Sequence, residues 1–204
     1  VGGSTIHWGA HFPRFHPSDF RVKTLEGVSD DWPLSYNELE PYYDLNDKMM
    51  GVSGLRGDPA YPAKPERPCP PLSIRPSGRL LAKALDKLGW HWWASDTAVS
   101  SVTYDGREPD MGGFLRSFAS TDLNYWPAAL KLGARLETHA RVREITIDES
   151  GMATGALYYN ADGELKEQKA EAVVLACNGI GTARLLLNST SALFPYGLAN
   201  SSGL

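Results

Sequence analysis

Apolar positions recur at helical spacing in three stretches. Leu39, Tyr42, Tyr43, Leu45 and Met49 fall on one side of a helix that Ser35 opens, with Glu38 as its capping-box partner and Gly51 as its stop. Pro41 lies inside that run, so an irregular start or a second helix beginning there are the alternatives. Leu80, Leu81, Ala84, Leu85 and Leu88 predict a core helix from Ser77 or Gly78 to Gly89. Ser120 or Thr121 caps a third, with Tyr125, Trp126, Ala129, Leu130 and Leu132 as its apolar side before Gly133. In the final third the period falls to two. Residues 135–148 alternate apolar and polar, which predicts one or two strands with one face buried. Gly151, Asn160, Asp162 and Gly163 mark hairpin turns around residues 156–159. Residues 172–177 are apolar without alternation, as in a buried parallel strand, and residues 178–182 turn that run into a helix over 183–188. Trp90, His91, Trp92 and Trp93 predict a further strand packed into the core, with Trp90 and Trp92 on one face and His91 and Trp93 on the other.

Loops separate these elements. Residues 11–30 read as an extended surface passage in which Phe12, Phe15 and Phe20 alternate with Arg14, Arg21 and Lys23. Prolines at 59, 62, 65, 68, 70, 71 and 76 exclude helix or central strand over residues 54–76 and predict a long surface loop or lid. The chain of 204 residues is 42% hydrophobic, enough for a core of one large domain or parts of two. A net charge of -4 argues against a nucleic-acid or anionic-membrane surface, and no apolar run reaches the roughly 20 residues of a membrane helix. The first residue is Val1, so the segment reads as cut from a longer protein, and the compartment stays open between cytoplasm and export to a bacterial periplasm. Two cysteines make no disulfide framework; Cys69 in the proline-rich loop is expected exposed and Cys177 at the end of its apolar run buried, both as free thiols. His7, His11 and His16 lack the spacing of a metal site, since Pro13 and Pro17 interrupt any helix that would align them. His91 and His139 fall in expected strands and read as structural.

Candidate chemistry concentrates at the start. In Val1, Gly2, Gly3, Ser4, Thr5, Ile6, His7, Trp8, Gly9 and Ala10, paired glycines allow close backbone approach to a flat or anionic group, while two hydroxyls and an imidazole supply polar contacts. This pattern, with a histidine immediately before a tryptophan, resembles the flavin loop of the glucose-methanol-choline (GMC) oxidoreductases, of the pyranose 2-oxidase kind. Residues 15–21, 31–36 and 40–43 resemble GMC sugar dehydrogenases of the gluconate 2-dehydrogenase and glucoside 3-dehydrogenase kind. Residues 104–107 and 120–122 also match, whereas residues 111–116 between them lack the cysteine-rich segment of many relatives. The run from Gly179 through Ser189 is similar to the second signature of the family, with Ala183 where proline is usual.

The resemblance implies an α/β (overall α+β) fold: the closing part of a Rossmann-like FAD-binding domain together with part of a substrate or cap domain of mixed sheet and helices. On that basis residues 1–30 form a flavin-contacting loop, 31–134 the cap region, 135–189 the strands, meander and Gly-rich turn of the FAD-binding domain, and 190–204 a tail. It implies an FAD-dependent enzyme that oxidises an alcohol group of a sugar, glycoside, polyol or sugar acid by hydride transfer to flavin N5. The cofactor contacts would be Gly2, Gly3, Ser4, Thr5, His7, Trp8, Gly9, Ala10, Val142, Ala176, Cys177, Asn178, Gly179 and Thr182. His7 would bond to the flavin 8α-methyl, with a non-covalent loop histidine as the alternative. The family's opening Gly-x-Gly-x-x-Gly unit and its catalytic histidine would lie before Val1 and beyond Leu204, so no catalytic residue is expected within these 204 and the segment alone would be inactive. The electron acceptor stays open between oxygen, a quinone and a partner subunit, a cytochrome or small subunit. Two other readings compete: a non-catalytic carbohydrate- or protein-binding module built on the tryptophans, and an NAD-dependent dehydrogenase using residues 178–181, which lacks a first-strand position and an acidic residue about 20 positions on.

Overall fold

The computed structural model describes residues 3–109 and 117–200; Gly2 and the cysteine-free segment 111–116 lie outside them. The chain forms two compact units, Val1–Lys131 and Leu132–Leu204. Its architecture is mixed α/β, with helices and a three-stranded antiparallel sheet.

The first unit carries helices α1 (Val22–Glu26), α2 (Tyr36–Met50), α3 (Pro76–Leu88), α4 (Thr121–Asn124) and α5 (Trp126–Lys131), with a 3-10 turn at Pro17–Arg21. The passage 11–30 is therefore partly helical, because Pro17 pre-sets a helical φ and Asp19 accepts from the His16 N–H at 2.7 Å. The α2 boundaries follow the expected chemistry. Glu38 accepts from the Ser35 N–H and hydroxyl at 2.7 Å, and Gly51 ends the helix in the left-handed conformation. Pro41 is accommodated inside one continuous helix. Its buried stripe, however, is Tyr36, Asp47 and Met50 with Tyr43 half-buried, while Tyr42 and Leu45 face solvent. The helix is turned to bring the Asp47 carboxylate inward, where two arginines meet it.

Helix α3 starts at Pro76, the position where a missing N–H is harmless. It is not a core helix. None of its residues is buried, and Leu80 is 71% exposed. The third predicted helix divides into α4 and α5 at Tyr125, whose hydroxyl contacts Asn46. Residues 90–93 are extended but form no strand, and Trp90 is 65% exposed, which overturns the expectation of a packed tryptophan strand. Of the expected partition the His91 and Trp93 side is seen: the two rings stack with their planes 16° apart. Trp92 and Trp93 instead direct their indole N–H groups to Asp86 (2.8 Å) and the Leu55 carbonyl (2.9 Å).

No regular strand is assigned among the described residues of this unit. A net of single backbone bridges closes over Ala10, Met50, Val52, Ala98, Val99 and Ala119, with Trp8, Phe12, Leu72, Phe118 and Tyr125 packed around them. The small side chains permit close approach: Ala98 N–H donates to Ala10, and Ala119 N–H to Ala98, both at 2.8 Å. The proline-rich loop joins this core, since Ser53 and Cys69 bridge and Cys69 is fully buried. The expected cysteine exposures are thus reversed. Cys177 is the exposed thiol and Cys69 the enclosed one, anchored by backbone pairing that composition does not reveal.

In the second unit β1 (Arg141–Ile147), β2 (Ala153–Tyr159) and β3 (Leu165–Lys169) form a meander in sequence order. Asp148 accepts from the N–H groups of Ser150 and Met152, and Asn160 from those of Asp162 and Glu164, which closes the two turns. Strand pairing begins at Arg141, so residues 135–140 are unpaired, and His139 precedes the sheet with φ 54°. Residues 172–177 do not form the expected buried parallel strand. A parallel strand needs a neighbour to satisfy its N–H and C=O groups. The described sheet offers these residues none, and Val174 is 86% exposed. Helix α6 (Asn178–Asn188) begins five residues earlier than expected and takes in the glycine-rich run.

Candidate functional site

The opening loop turns on Gly3. Its φ of 75° suits glycine, and its carbonyl accepts from the N–H groups of Ile6 (3.2 Å) and His7 (3.4 Å). The loop is fastened from behind. Trp8 donates its indole N–H to the Ala119 carbonyl at 3.1 Å and meets Phe12 edge to face at 5.9 Å. Thr5 and Thr121 share a hydroxyl contact of 3.0 Å, and Ala10 is buried in the core. Gly3, Ser4, Thr5, His7 and Gly9 remain exposed, and Trp8 is half-buried. The result is a polar backbone turn on a rigid floor, with a hydroxyl and an imidazole outward.

In the second unit Val142 pairs with Tyr158 next to a register shift in β1, and β1 is an edge of the described sheet. Asn178 adopts φ 55°, and its side-chain oxygen accepts from the Gly181 N–H at 3.3 Å, while Cys177 makes no side-chain cap. Ala176, Cys177, Asn178 and Gly179 are exposed and Thr182 half-buried. The far end of α6 is fixed by Ser189, which accepts from the Ile145 N–H at 2.9 Å and donates to the Leu185 carbonyl at 2.7 Å. The N-terminal turn of a helix anchored at its far end is therefore exposed, with the Gly181 N–H already taken by Asn178.

A buried ion network was not anticipated. Asp47 binds the Arg14 and Arg67 guanidiniums at 2.5 Å each; Arg14 also holds Asp44 at 2.5 Å, Arg67 holds Asp96 at 3.0 Å, and Lys64 approaches Asp96 at 3.4 Å. Burial works against the Arg14 charge, but hydrogen bonds to Asp47, Asp44 and Tyr36 outweigh it and hold the guanidinium above its ordinary range. Burial lifts the Asp47 carboxyl, with Arg14 and Arg67 pulling the other way, and it lowers Lys64 against the pull of Asp96. Arg14 read as a surface residue of an amphipathic loop; it is 4% exposed. One signal was available: Asp47 shares a helical face with Tyr36 and Met50, and a carboxylate on an inward face requires a cation.

A family model described as GMC oxidoreductase matches residues 2–192. This chain belongs to the GMC oxidoreductase family. Over its whole length it is 46% identical to 2-methyl-1,2-propanediol dehydrogenase of Mycolicibacterium austroafricanum and 34% identical to the fructose dehydrogenase large subunit of Gluconobacter japonicus, in each case covering 39% of the relative. Over 93% of its length it is 26% identical to the gluconate 2-dehydrogenase flavoprotein of Pantoea cypripedii, covering 37% of it. The GMC chain thus spans about two fifths of the length of the curated relatives it matches.

Proposed function

We propose that the chain is part of an FAD-dependent GMC oxidoreductase that oxidises an alcohol group of a sugar, glycoside, polyol or sugar acid. Family membership across residues 2–192 is the observation that carries this reading. The names of its relatives, a diol dehydrogenase, a fructose dehydrogenase and a gluconate dehydrogenase, support a polyhydroxylated substrate. Those proteins called a large subunit and a flavoprotein support an electron-accepting partner subunit. No described helix is long and apolar enough to cross a membrane.

The residues fit the cofactor in two ways. Gly3 has open space where a Cβ would stand, so a flat ring can lie against the backbone, and Ser4 and His7 provide donors and acceptors beside it. The N-terminus of α6, where Cys177 gives no side-chain cap and Gly179 leaves open space, suits a phosphate group, although the Asn178 side chain already takes the Gly181 N–H. We assign FAD contacts to Gly3, Ser4, Thr5, His7, Trp8, Gly9 and Ala10 in the loop, to Gly2, which lies outside the described residues, and to Val142, Ala176, Cys177, Asn178, Gly179 and Thr182. These belong to a Rossmann-like FAD-binding domain.

When bound, FAD supplies hydride acceptance. The chain's own residues orient and shield it. Trp8 and Thr5 fix the loop to Ala119 and Thr121, so the Gly3 turn does not have to be ordered on binding. We propose that the exposed His7 imidazole would bond the flavin ring methyl, which would retain the cofactor. Acid precipitation of purified holoprotein tests this: colour in the pellet that His7→Ala transfers to the supernatant is expected, and colour released from wild type eliminates the covalent link. The enzyme reading itself predicts flavin absorption bands that bleach anaerobically on adding a sugar or polyol. A featureless spectrum would overturn it in favour of a binding module.

A further inference from the structure

The first unit contains a cavity of about 230 Å³ lined by Pro13, Leu55, Asp58, Tyr61, Lys64, Trp93, Ala94, Ser95 and Asp96. No residue of the Gly3–Ala10 loop borders it. Drug-sized ligands occupy roughly 300–1,000 Å³, so this space suits something nearer one sugar ring.

Its walls are already held in place. Trp93 is tied to Leu55 by its indole N–H and flanked by His91, which Asp58 binds at 2.8 Å. Tyr61 is clamped between the His16 ring (3.9 Å) and the Lys64 ammonium (3.7 Å), and its hydroxyl donates to the Arg14 carbonyl. Asp96 is fixed by Arg67 at the end of the ion network.

Polar capacity is left over on this rigid frame. The Lys64 side chain is 9% exposed, and apart from the face of the Tyr61 ring its ammonium has, among the described residues, a single polar contact at 3.4 Å, with an Asp96 oxygen that Arg67 already holds more closely. The Ser95 hydroxyl has two contacts, to His11 and to the Asp96 carbonyl, both at 3.4 Å. Donors therefore await acceptors, and the carboxylates of Asp58 and Asp96 can accept in turn. An anionic ligand would confront both carboxylates. A hydroxyl group can do what neither ion can: accept from Lys64 and donate to Asp58 in the same site. The indole beside these groups offers an apolar surface for C–H bonds.

We propose that this cavity is a binding site for a small neutral polyol, of the size of one monosaccharide ring, separate from the flavin-facing loop. The proposal stands apart from the oxidoreductase assignment, since it rests on residues lining this cavity, among them Trp93, Lys64, Ser95, Asp58 and Asp96, and on none of the flavin-facing loop.

The test uses intact protein labelled with 5-fluorotryptophan, in which Trp93→Phe assigns the Trp93 fluorine resonance and the other tryptophans serve as internal controls. D-Glucose is the probe and D-gluconate the charged comparison. The expected result is a saturable millimolar shift of the Trp93 resonance with glucose, no shift of Trp90, and weaker binding of gluconate. Lys64→Met and the milder Ser95→Ala should each weaken it, the former by about tenfold as a hydrogen bond to a charged group is lost. A Trp93 resonance that glucose leaves unmoved at high millimolar concentration overturns the proposal, as does a shift that survives both substitutions or tighter binding of gluconate. Flavin bleaching by glucose is recorded on the same samples, so loss of the Trp93 shift with retained bleaching separates failure here from failure of the enzyme assignment.

Discussion

Replacing Asp47 with alanine should unfold the first unit far more readily than any surface substitution of the same charge. Asp47 is 3% exposed and is the only carboxylate in the network that touches both Arg14 and Arg67. Neither arginine can discharge itself by losing its proton. Removing one partner of a buried pair costs about 3–5 kcal/mol. Here each guanidinium keeps a second carboxylate, Asp44 or Asp96, which places the cost at the lower end, about 3 kcal/mol. The Nε groups of both arginines are already buried without partners, so little spare hydrogen bonding remains to absorb the loss. At about 2–4 °C per kcal/mol, the midpoint should fall by about 6–12 °C. All six tryptophans precede Leu132, so indole fluorescence during urea or thermal unfolding reports this unit alone. Asp30→Ala, which breaks the exposed pair with Lys23, is the charge-matched control and should change nothing measurable. Asp47→Asn should fall between them. An Asp47→Ala protein within about 1 kcal/mol of wild type would refute the view that this carboxylate neutralises both arginines, because the penalty for a stranded buried charge is larger than that.

The capping box gives a pH effect. Hydrogen bonds from the Ser35 hydroxyl and N–H hold Glu38 below its ordinary value, so their stabilisation is complete above the ordinary glutamate range and lost as pH falls through the depressed value. Urea midpoints measured from neutral to acidic pH should therefore fall less steeply in Glu38→Gln; an identical slope would remove Glu38 from the acid response. Thiol titration should find one reactive cysteine in native protein, Cys177, and two in denaturant, since burial encloses Cys69 and pushes its thiol up; two native equivalents would contradict the packing. In β2, a Cβ on Gly155 would overlap the Gln168 carbonyl of β3, so Gly155→Ala should cost about 1–3 kcal/mol, read as an earlier loss of sheet circular dichroism, and an unchanged transition would mean that β3 does not sit where it is placed.

Local chemistry was legible wherever a residue acts through its own chain neighbours. Ser35, Glu38 and Gly51 bracket α2 because capping is settled within four residues, and Asp148 and Asn160 close turns with N–H groups two to four residues away. The ion network was not legible, because its members come from positions 14, 44, 47, 64, 67 and 96, and the spacing does not say which cation meets which carboxylate. The turns assigned to FAD were readable as glycine-containing runs, but which backbone groups face outward depended on distant anchors: Ala119 for Trp8, Thr121 for Thr5, and Ile145 for Ser189.

The remaining differences share one physical cause. Amphipathic spacing records that a face is suited to burial, and it carries no information about which surface provides the cover. Leu80, Leu81 and Leu88 on α3, and Val174 and Ile180 around the start of α6, have the composition of inner faces while lying exposed within their own units. On α3 that face stands on an element with sound termini, Pro76 and Gly89, so the helix itself is not in question, whereas Val174 lies in a run that forms no regular element. For a chain that spans about two fifths of its relatives, hydrophobic periodicity thus locates helices reliably and overstates the core within a unit, whereas buried charge, as at Asp47, marks interior that the unit completes by itself.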